Sequence, residues 1–355
     1  MSRHALAVGA VVLVAVAVAV PLAGCGGRDR PAGPTSPAVP GGSPPVVTDE
    51  GPDLFEDVTA RSGVVFSYRN GEEVDPPHLS ILESLGGGLA AFDFDGDGLL
   101  DLFLVGGGHF GGKDNQDILG HPCKLFRNTG GFKFEDVTGM AGLTALAGDK
   151  PWFYSHAAAA GDFDNDGWPD LLVTGYRHVA LLHNIPDGKG GRKFEDVTAK
   201  AGLDKGVTWA TSAGWADFDG DGFADLYVCQ YVDWRFGSPR THPTDCFYSK
   251  DENNKEIRDV CPPKKFDGLQ ALVFRNTGGG TFENVTATAG IKDGGPGVSK
   301  GLGVVVVDVN ADGKPDVYAA NDTVPNFLYV NRSTRGKILF EELGMKAAVA
   351  LDGGA

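Results

Sequence analysis

Positive charge is scarce in this chain. Its 355 residues carry 31 lysines and arginines against 47 aspartates and glutamates, for a net charge of −16, and the basic residues are nowhere gathered into a stripe. Such an acidic surface repels phosphate, which argues against nucleic acid and anionic membrane as partners and makes cations the better candidates. Long amphipathic helical patterns are missing as well. In their place stand 53 glycines, 21 prolines and 10% aromatic residues, the composition of many short strands joined by tight turns. The expected fold class is all-β. Neither an H-E-x-x-H string nor a glycine-rich loop opening a helix occurs. The histidines lack metal-ligand spacing: His178 and His183, in "HVALLH", stand five apart on an expected strand, which sends them to opposite faces.

Residues 1–24 read as an export signal: Arg3 supplies the positive start, an Ala/Val run follows, and "LAGC" closes it at Cys25. The ending resembles the lipobox of bacterial lipoproteins, which implies cleavage before Cys25 and a lipid on its thiol. An uncleaved spanning helix is the alternative, since the apolar run approaches the ~20 residues a span needs. Either way the body is tethered outside the cytoplasm, in the periplasm or at the cell surface, touching membrane through its anchor alone. Residues 25–53, rich in glycine and proline, read as a spacer.

From residue 54 onward two elements recur. The first is acidic: "DFDGDGLLD" from Asp93, "DFDNDGWPD" from Asp162, "DFDGDGFAD" from Asp217 and "DVNADGKPD" from Asp308. The second reads "FEDVTARSGV" from Phe55, "FEDVTGMAGL" from Phe134, "FEDVTAKAGL" from Phe194 and "FENVTATAGI" from Phe282, with a decayed copy at Phe340. Between them lie "LFRNTGG", "LLHNIPDG", "VFRNTGGG" and "LYVNRSTRG", each a strand running into a turn. One unit is therefore four antiparallel strands, a β-propeller blade. Four complete blades are expected at about 86–143, 155–203, 209–291 and 299–346, with the largest insertion at 233–268. The copy at 54–64 has no acidic motif before it and reads as a strand that closes the ring from the N-terminal side. Closure of that kind calls for more blades than four, so the expected object is part of a larger ring.

Charge repulsion gives the acidic motif its meaning. Unit charges 4 Å apart cost ~4 kcal/mol at an effective dielectric of 20, so four carboxylates in one loop ask for a cation. Hard oxygens at alternate positions suit calcium over zinc or copper. The expected ligands are the side chains at positions 1, 3, 5 and 9 and the carbonyl at position 7. They are Asp93, Asp95, Asp97, Leu99 and Asp101; Asp162, Asp164, Asp166, Trp168 and Asp170; Asp217, Asp219, Asp221, Phe223 and Asp225; and Asp308, Asn310, Asp312, Lys314 and Asp316. Up to four structural Ca²⁺ ions follow. The fourth loop, with Asn310 in place of aspartate and a competing Lys314, is expected to bind most weakly. An EF-hand would need a glutamate at position 12, where this chain has Leu104, Val173, Val228 or Ala319 inside a strand.

This order of strand, acidic hairpin and "LFRNTGG…FEDVT..AGL" resembles FG-GAP/VCBS repeat proteins, and especially bacterial relatives of the cartilage acidic protein (ASPIC/UnbV) family. "LYVCQYVDW", "CPPKKF" and "AANDTVPNFLYVN" fit the same group. The resemblance covers about residues 54–346 and implies an integrin-α-like, calcium-bound propeller of about seven blades followed by an ASPIC/UnbV segment. That segment is not found in these residues, and no literal Phe-Gly…Gly-Ala-Pro string occurs.

Four cysteines besides Cys25 allow three full pairings. Cys246 and Cys261 bracket a polar loop with no core of its own and form the favoured disulfide; Cys123 and Cys229 read as buried thiols. Trp152, Trp168, Trp209, Trp215 and Trp234 are candidates for a ligand face, with blade packing the blander reading, above all for Trp209 and Trp215. The function expected is a non-enzymatic, calcium-stabilised scaffold that binds a protein or glycan through inter-blade loops. A polysaccharide hydrolase or lyase on the same scaffold, and a structural subunit of a surface assembly, are the alternatives.

Overall fold

The computed structural model describes residues 55–73, 79–237, 241–250 and 253–351, except for the side chain of Tyr248. The signal, Cys25 and the spacer all lie outside the described residues. From Glu56 onward the chain is one unit.

Among the described residues twenty strands build the body, and almost no helix accompanies them. The first sheet holds β1 (Leu89–Phe92), β2 (Asp101–Leu104), β5 (Lys124–Asn128) and β6 (Phe134–Asp136); the second holds β7 (Ser155–Gly161), β8 (Asp170–Gly175), β9 (His178–Pro186) and β10 (Arg192–Asp196). The third is β11 (Ala210–Ala216), β12 (Asp225–Gln230), β15 (Leu272–Asn276) and β16 (Phe282–Asn284). The fourth is β17 (Gly301–Val307), β18 (Asp316–Asn321), β19 (Phe327–Asn331) and β20 (Phe340–Glu342). Each sheet is an antiparallel meander, as the repeat implies, and each is one propeller blade. The first strands of consecutive blades lie side by side, β1 against β7, β7 against β11 and β11 against β17.

Two further hairpins, β3 (Gly108–Gly111) with β4 (Asp117–Gly120) and β13 (Phe247–Lys250) with β14 (Glu256–Arg258), are inserted between the second and third strands of blades 1 and 3. Because neighbouring strands alternate in direction, every acidic loop, joining strands 1 and 2, emerges at one end of the blades. The insertions and the links between blades emerge at the other.

The core lies between blades. Phe92, Phe94, Phe103 and Leu125 of blade 1 meet Leu171, Val173, Leu182 and Phe194 of blade 2, and similar layers join blades 2 and 3 and blades 3 and 4. In each joint the aromatic residue after the first loop aspartate packs on the "FED" phenylalanine of the next blade. The ring centroids are 5.2 Å apart for Phe94 and Phe194, 6.1 Å for Phe163 and Phe282, and 5.2 Å for Phe218 and Phe340. The threonine of "FEDVT" anchors the same region: Thr138, Thr198 and Thr286 each accept, through Oγ1, the backbone N–H of Leu125, Leu181 or Val273.

The closing strand expected at 54–64 is not a strand among the described residues. Residues 55–58 are irregular, Thr59–Ser62 form one helical turn, and Phe55 is 91% exposed where Phe194, Phe282 and Phe340 are buried. A strand needs a hydrogen-bonding edge, and the outer edge of each described sheet is its own fourth strand. The second half of the motif is nonetheless seated as in the other copies. Gly63, at φ +79°, lies so close to the Phe134 carbonyl that a Cβ would come within 2.6 Å of it, and Gly290 stands in the same relation to Phe340.

Cys246 and Cys261 are joined in a disulfide, while Cys123 and Cys229 are free and buried. Trp152, Trp209 and Trp234 are buried; Trp215 donates through Nε1 to the Ala159 carbonyl of the preceding blade. The three buried rings pack inside the fold, and Trp215 is half-buried. Trp168 packs its ring on Gly96 of the first acidic loop and lies 3.9 Å beneath the Arg192 guanidinium.

Candidate metal centres

Each acidic loop is first a hydrogen-bonded turn. The position-1 carboxylate collects backbone N–H groups: Asp93 accepts from Gly96, Asp97 and Gly98, and Asp217 from Gly220, Asp221 and Gly222, at 2.8 to 3.1 Å. Asp162 and Asp308 take the N–H groups of positions 5 and 6 in the same way. The position-5 carboxylates of Asp97, Asp166, Asp221 and Asp312 accept the N–H of Leu99, Trp168, Phe223 and Lys314. Glycine at position 6 has positive φ in every copy (Gly98, Gly167, Gly222, Gly313), as does position 4, filled by Gly96, Asn165, Gly220 and Ala311.

Position 9 carries the most structural weight. Asp101, Asp170, Asp225 and Asp316 are fully buried. One oxygen of each accepts the N–H of Phe94, Phe163, Phe218 or Val309 at position 2 of its own loop. The other accepts the N–H of Asn128, Asn184, Asn276 or Asn331 at the end of the third strand. One carboxylate thus ties the loop to the blade.

Those asparagines went unnoticed as functional residues, although "RN", "HN" and "VN" end the third strand in each repeat. Asn184 donates its side-chain amide to the Phe94 carbonyl at 2.9 Å, Asn276 to Phe163 at 2.7 Å and Asn331 to Phe218 at 2.9 Å. Each therefore clasps the acidic loop of the preceding blade. Asn128, in blade 1, donates its side-chain amide to Leu100 of its own loop.

The carboxylates also converge. Within 4.8 Å of one another lie ligand atoms of Asp93, Asp95 and Asp101, of Asp162, Asp164 and Asp170, and of Asp217, Asp219 and Asp225. The residue preceding each asparagine faces this cluster. Arg127 comes within 3.8 Å of Asp95, Arg275 within 3.9 Å of Asp219 and Asp221, and His183 within 3.0 Å of Asp164. Sequence reading left the histidines without a site, and His183 corrects it: an odd offset along β9 that separates it from His178 is what turns it to the loop. The fourth loop is different. Asn310 donates its amide to Asp312 at 3.1 Å, and Lys314 reaches away to the Ser333 carbonyl at 2.7 Å, so its ammonium does not compete inside the loop as expected.

Burial works against these charges. Asp170 and Asp225 are pushed up to about 7, and Asp101 to about 6, chiefly by desolvation, with the neighbouring aspartates adding repulsion. Asp95 and Asp219 are raised for the same two reasons. Asp95 Oδ1 is buried without any hydrogen-bond partner. The orphaned Asp95 oxygen in its all-oxygen cluster fits a hard cation in the first loop, and the same carboxylate arrangement recurs in the third and, with His183 beside it, in the second. The fourth, amide-filled and exposed, fits one less well.

The G-V-S-K-G string at 297–301 has the letters of a hydrolase nucleophile elbow. It lacks the context: Ser299 is buried and leads into a strand, not a helix.

The FG-GAP-like repeat model matches residues 93–173, 162–228 and 267–335, more than half of the chain. The chain is similar to cartilage acidic protein 1 of Homo sapiens, at 23% identity over 284 residues, covering 77% of this chain and 36% of that protein. The Mus musculus protein matches equally, with 37% of its length covered. The Xenopus tropicalis protein is 34% identical over 72 residues, 20% of this chain and 11% of that one. The chain thus spans little over a third of the mammalian relatives it matches. Among solved structures, an Agrocybe aegerita lectin described as recognising non-reducing terminal N-acetylglucosamine aligns at 18% identity, with 72% of this chain and 65% of that chain covered and a TM-score of 0.29. At that distance it says nothing of this chain's ligand.

Proposed function

The chain belongs to the FG-GAP-like repeat family, and on that footing we propose that it is a calcium-stabilised binding scaffold rather than an enzyme. The reading has it held outside the cytoplasm by a lipid on Cys25 and taking a protein or glycan ligand through its loops. The observation that carries the calcium part is the threefold repetition of one cluster. At the same place in three consecutive blades, carboxylates of positions 1, 3 and 9 converge within 4.8 Å, and in the first of them Asp95 Oδ1 has no partner. Bound calcium would neutralise this charge. Asp93, Asp95, Asp162, Asp164, Asp217 and Asp219 would hold it, with position 9 sharing an oxygen already engaged by backbone amides.

Because each cluster is clasped by the asparagine of the next blade, a cation there stabilises a joint as well as a loop, by mass action. Extracellular calcium modules work at about 10⁻⁴ to 10⁻³ M, so the ions would exchange with ordinary calcium.

Melting the purified protein with calcium and with EDTA tests this. The expected result is a lower melting temperature on chelation, with three sites titrating in calorimetry and the fourth loop weaker or silent. An unchanged melt, with metal analysis finding the protein empty in both samples, would remove the reading. Binding without turnover across protein and glycan arrays separates a scaffold from a hydrolase. Incorporation of labelled palmitate, lost in Cys25→Ala, tests the anchor.

A further inference from the structure

At the end of the blades opposite the acidic loops lies a groove that the calcium reading leaves unused. A cavity of about 570 Å³ opens between the β3–β4 hairpin, the link from blade 1 to blade 2 and the tip of the β8–β9 turn. A second, of about 390 Å³, shares Leu119, Phe153, Tyr176 and Arg177 with it. Each is of the size that takes a ligand. The wall of the larger cavity is mainly apolar, and the smaller one adds Gln116 and Asp117. Leu119 is 41% exposed, the Phe153 ring lies tilted against His178 with centroids 4.8 Å apart, and Tyr176 is buried with its hydroxyl donating to the Trp234 carbonyl at 3.0 Å.

Two cations stand at the rim. Lys150 and Arg177 are exposed, and neither is ion-paired with a carboxylate among the described residues. The Arg177 guanidinium lies 5.3 Å over the Tyr176 ring, and its backbone N–H donates to Thr208 at 2.8 Å. Its φ is +57°, a left-handed conformation that a long side chain rarely adopts and that clusters at binding sites. In a protein of net charge −16, the larger cavity carries two cations and no carboxylate in its lining. The wall of the larger cavity contains no aspartate, glutamate, asparagine or glutamine, the side chains that hold sugar hydroxyls.

We propose that this groove binds an extended acidic peptide segment of a partner protein. Its apolar side chain rests on Leu119 and Phe153, and its flanking carboxylates sit on Arg177 and Lys150. The inference deepens the scaffold reading above and rests on it, by choosing a protein segment over a glycan and naming the site.

The test uses the full chain loaded with calcium. Short fluorescent peptides with one central Leu or Phe among Asp and Glu are titrated by anisotropy, in parallel with a labelled polyuronate oligosaccharide. Arg177→Gly suits the left-handed backbone, so it removes the guanidinium without a folding penalty; Lys150→Ala is the second variant. Peptide binding that weakens about tenfold in Arg177→Gly, and falls as salt rises, at an unchanged melting temperature, supports the site. Absence of peptide binding, affinity indifferent to both substitutions, or polyuronate binding with the same sensitivity overturns it. The calcium reading stands or falls separately, on the melt in EDTA.

Discussion

At one end of the blades four loops repeat a position-1 carboxylate gathering amides and a buried position-9 carboxylate holding the third strand, and an asparagine from the next blade closes the first three. At the other end no connection resembles another. There a hairpin interrupts blade 1, a tight turn with a left-handed arginine tips blade 2, and a disulfide-pinned insertion interrupts blade 3. Their shared core is a cluster of aromatics, with Trp209, Trp234, Tyr154, Tyr176 and Tyr231 fully or nearly buried. The loop end is conserved by geometry within the molecule, since each blade must fit the next. The insertion end is bound by no such repeat and is free to specialise.

The contrast is broken most severely at position 9. Asp225→Ala leaves two buried amides without an acceptor and frees a loop from its blade; we expect a loss of about 4 kcal/mol in chemical denaturation, with calcium binding lost at that blade. The corresponding blow at the other end is Cys246→Ser with Cys261→Ser. It removes about 3 kcal/mol of loop constraint, but hydrogen exchange should show the loosening confined to the insertion. Equal and global destabilisation by both would erase the distinction between the ends.

The joints sharpen it further. Asn276→Ala should cost about 2 kcal/mol, because Asn276 is fully buried and donates to carbonyls of two blades. Asn128→Ala should cost about 1 kcal/mol, since Asn128 is half-buried and bonds within its own blade. Equal costs in paired melts would mean that the inter-blade bond adds nothing.

Acidity offers a milder probe. In cation-free protein the carboxyls of Asp170 and Asp225 titrate near 7 when folded, against an ordinary value of 3.8. Between those values the folded state holds extra protons, so stability is higher at low pH in this window and is lost as pH rises through 7. Melts in EDTA should therefore fall from pH 5.5 to pH 7.5, and calcium, competing with those protons, should flatten or reverse the trend. The smallest effect is expected in the fourth loop, where Ala311 holds φ +59°. Ala311→Gly should raise stability by about 1 kcal/mol or less, with nothing changed at the opposite end.

Much of the loop end was legible in the residues, because the aspartates recur at fixed spacing and spacing survives when other letters drift. The blades followed from the same repetition. Which aspartate clamps and which one is left bare was not legible, since Asp95 and Asp101 are the same letter and differ only in what surrounds them after folding. His183 escaped for a related reason: it fills the place that Arg127 and Arg275 fill in neighbouring blades, and only a comparison of blades reveals it. The β3–β4 hairpin hid in glycine-rich sequence without alternation. The residues from Phe55 are irregular here because a motif takes up a strand only when a neighbouring edge is present to complete it.

The asparagine clasp has one more consequence. Each blade offers an amide on one flank and a carbonyl on the other, so the array has a direction. A duplicated blade inserted in the same orientation would find both partners waiting, and one inserted backwards would find neither. Growth of such an array by tandem copying therefore requires no new contact to be invented, whereas shuffling with inversion is forbidden by the first hydrogen bond it would break.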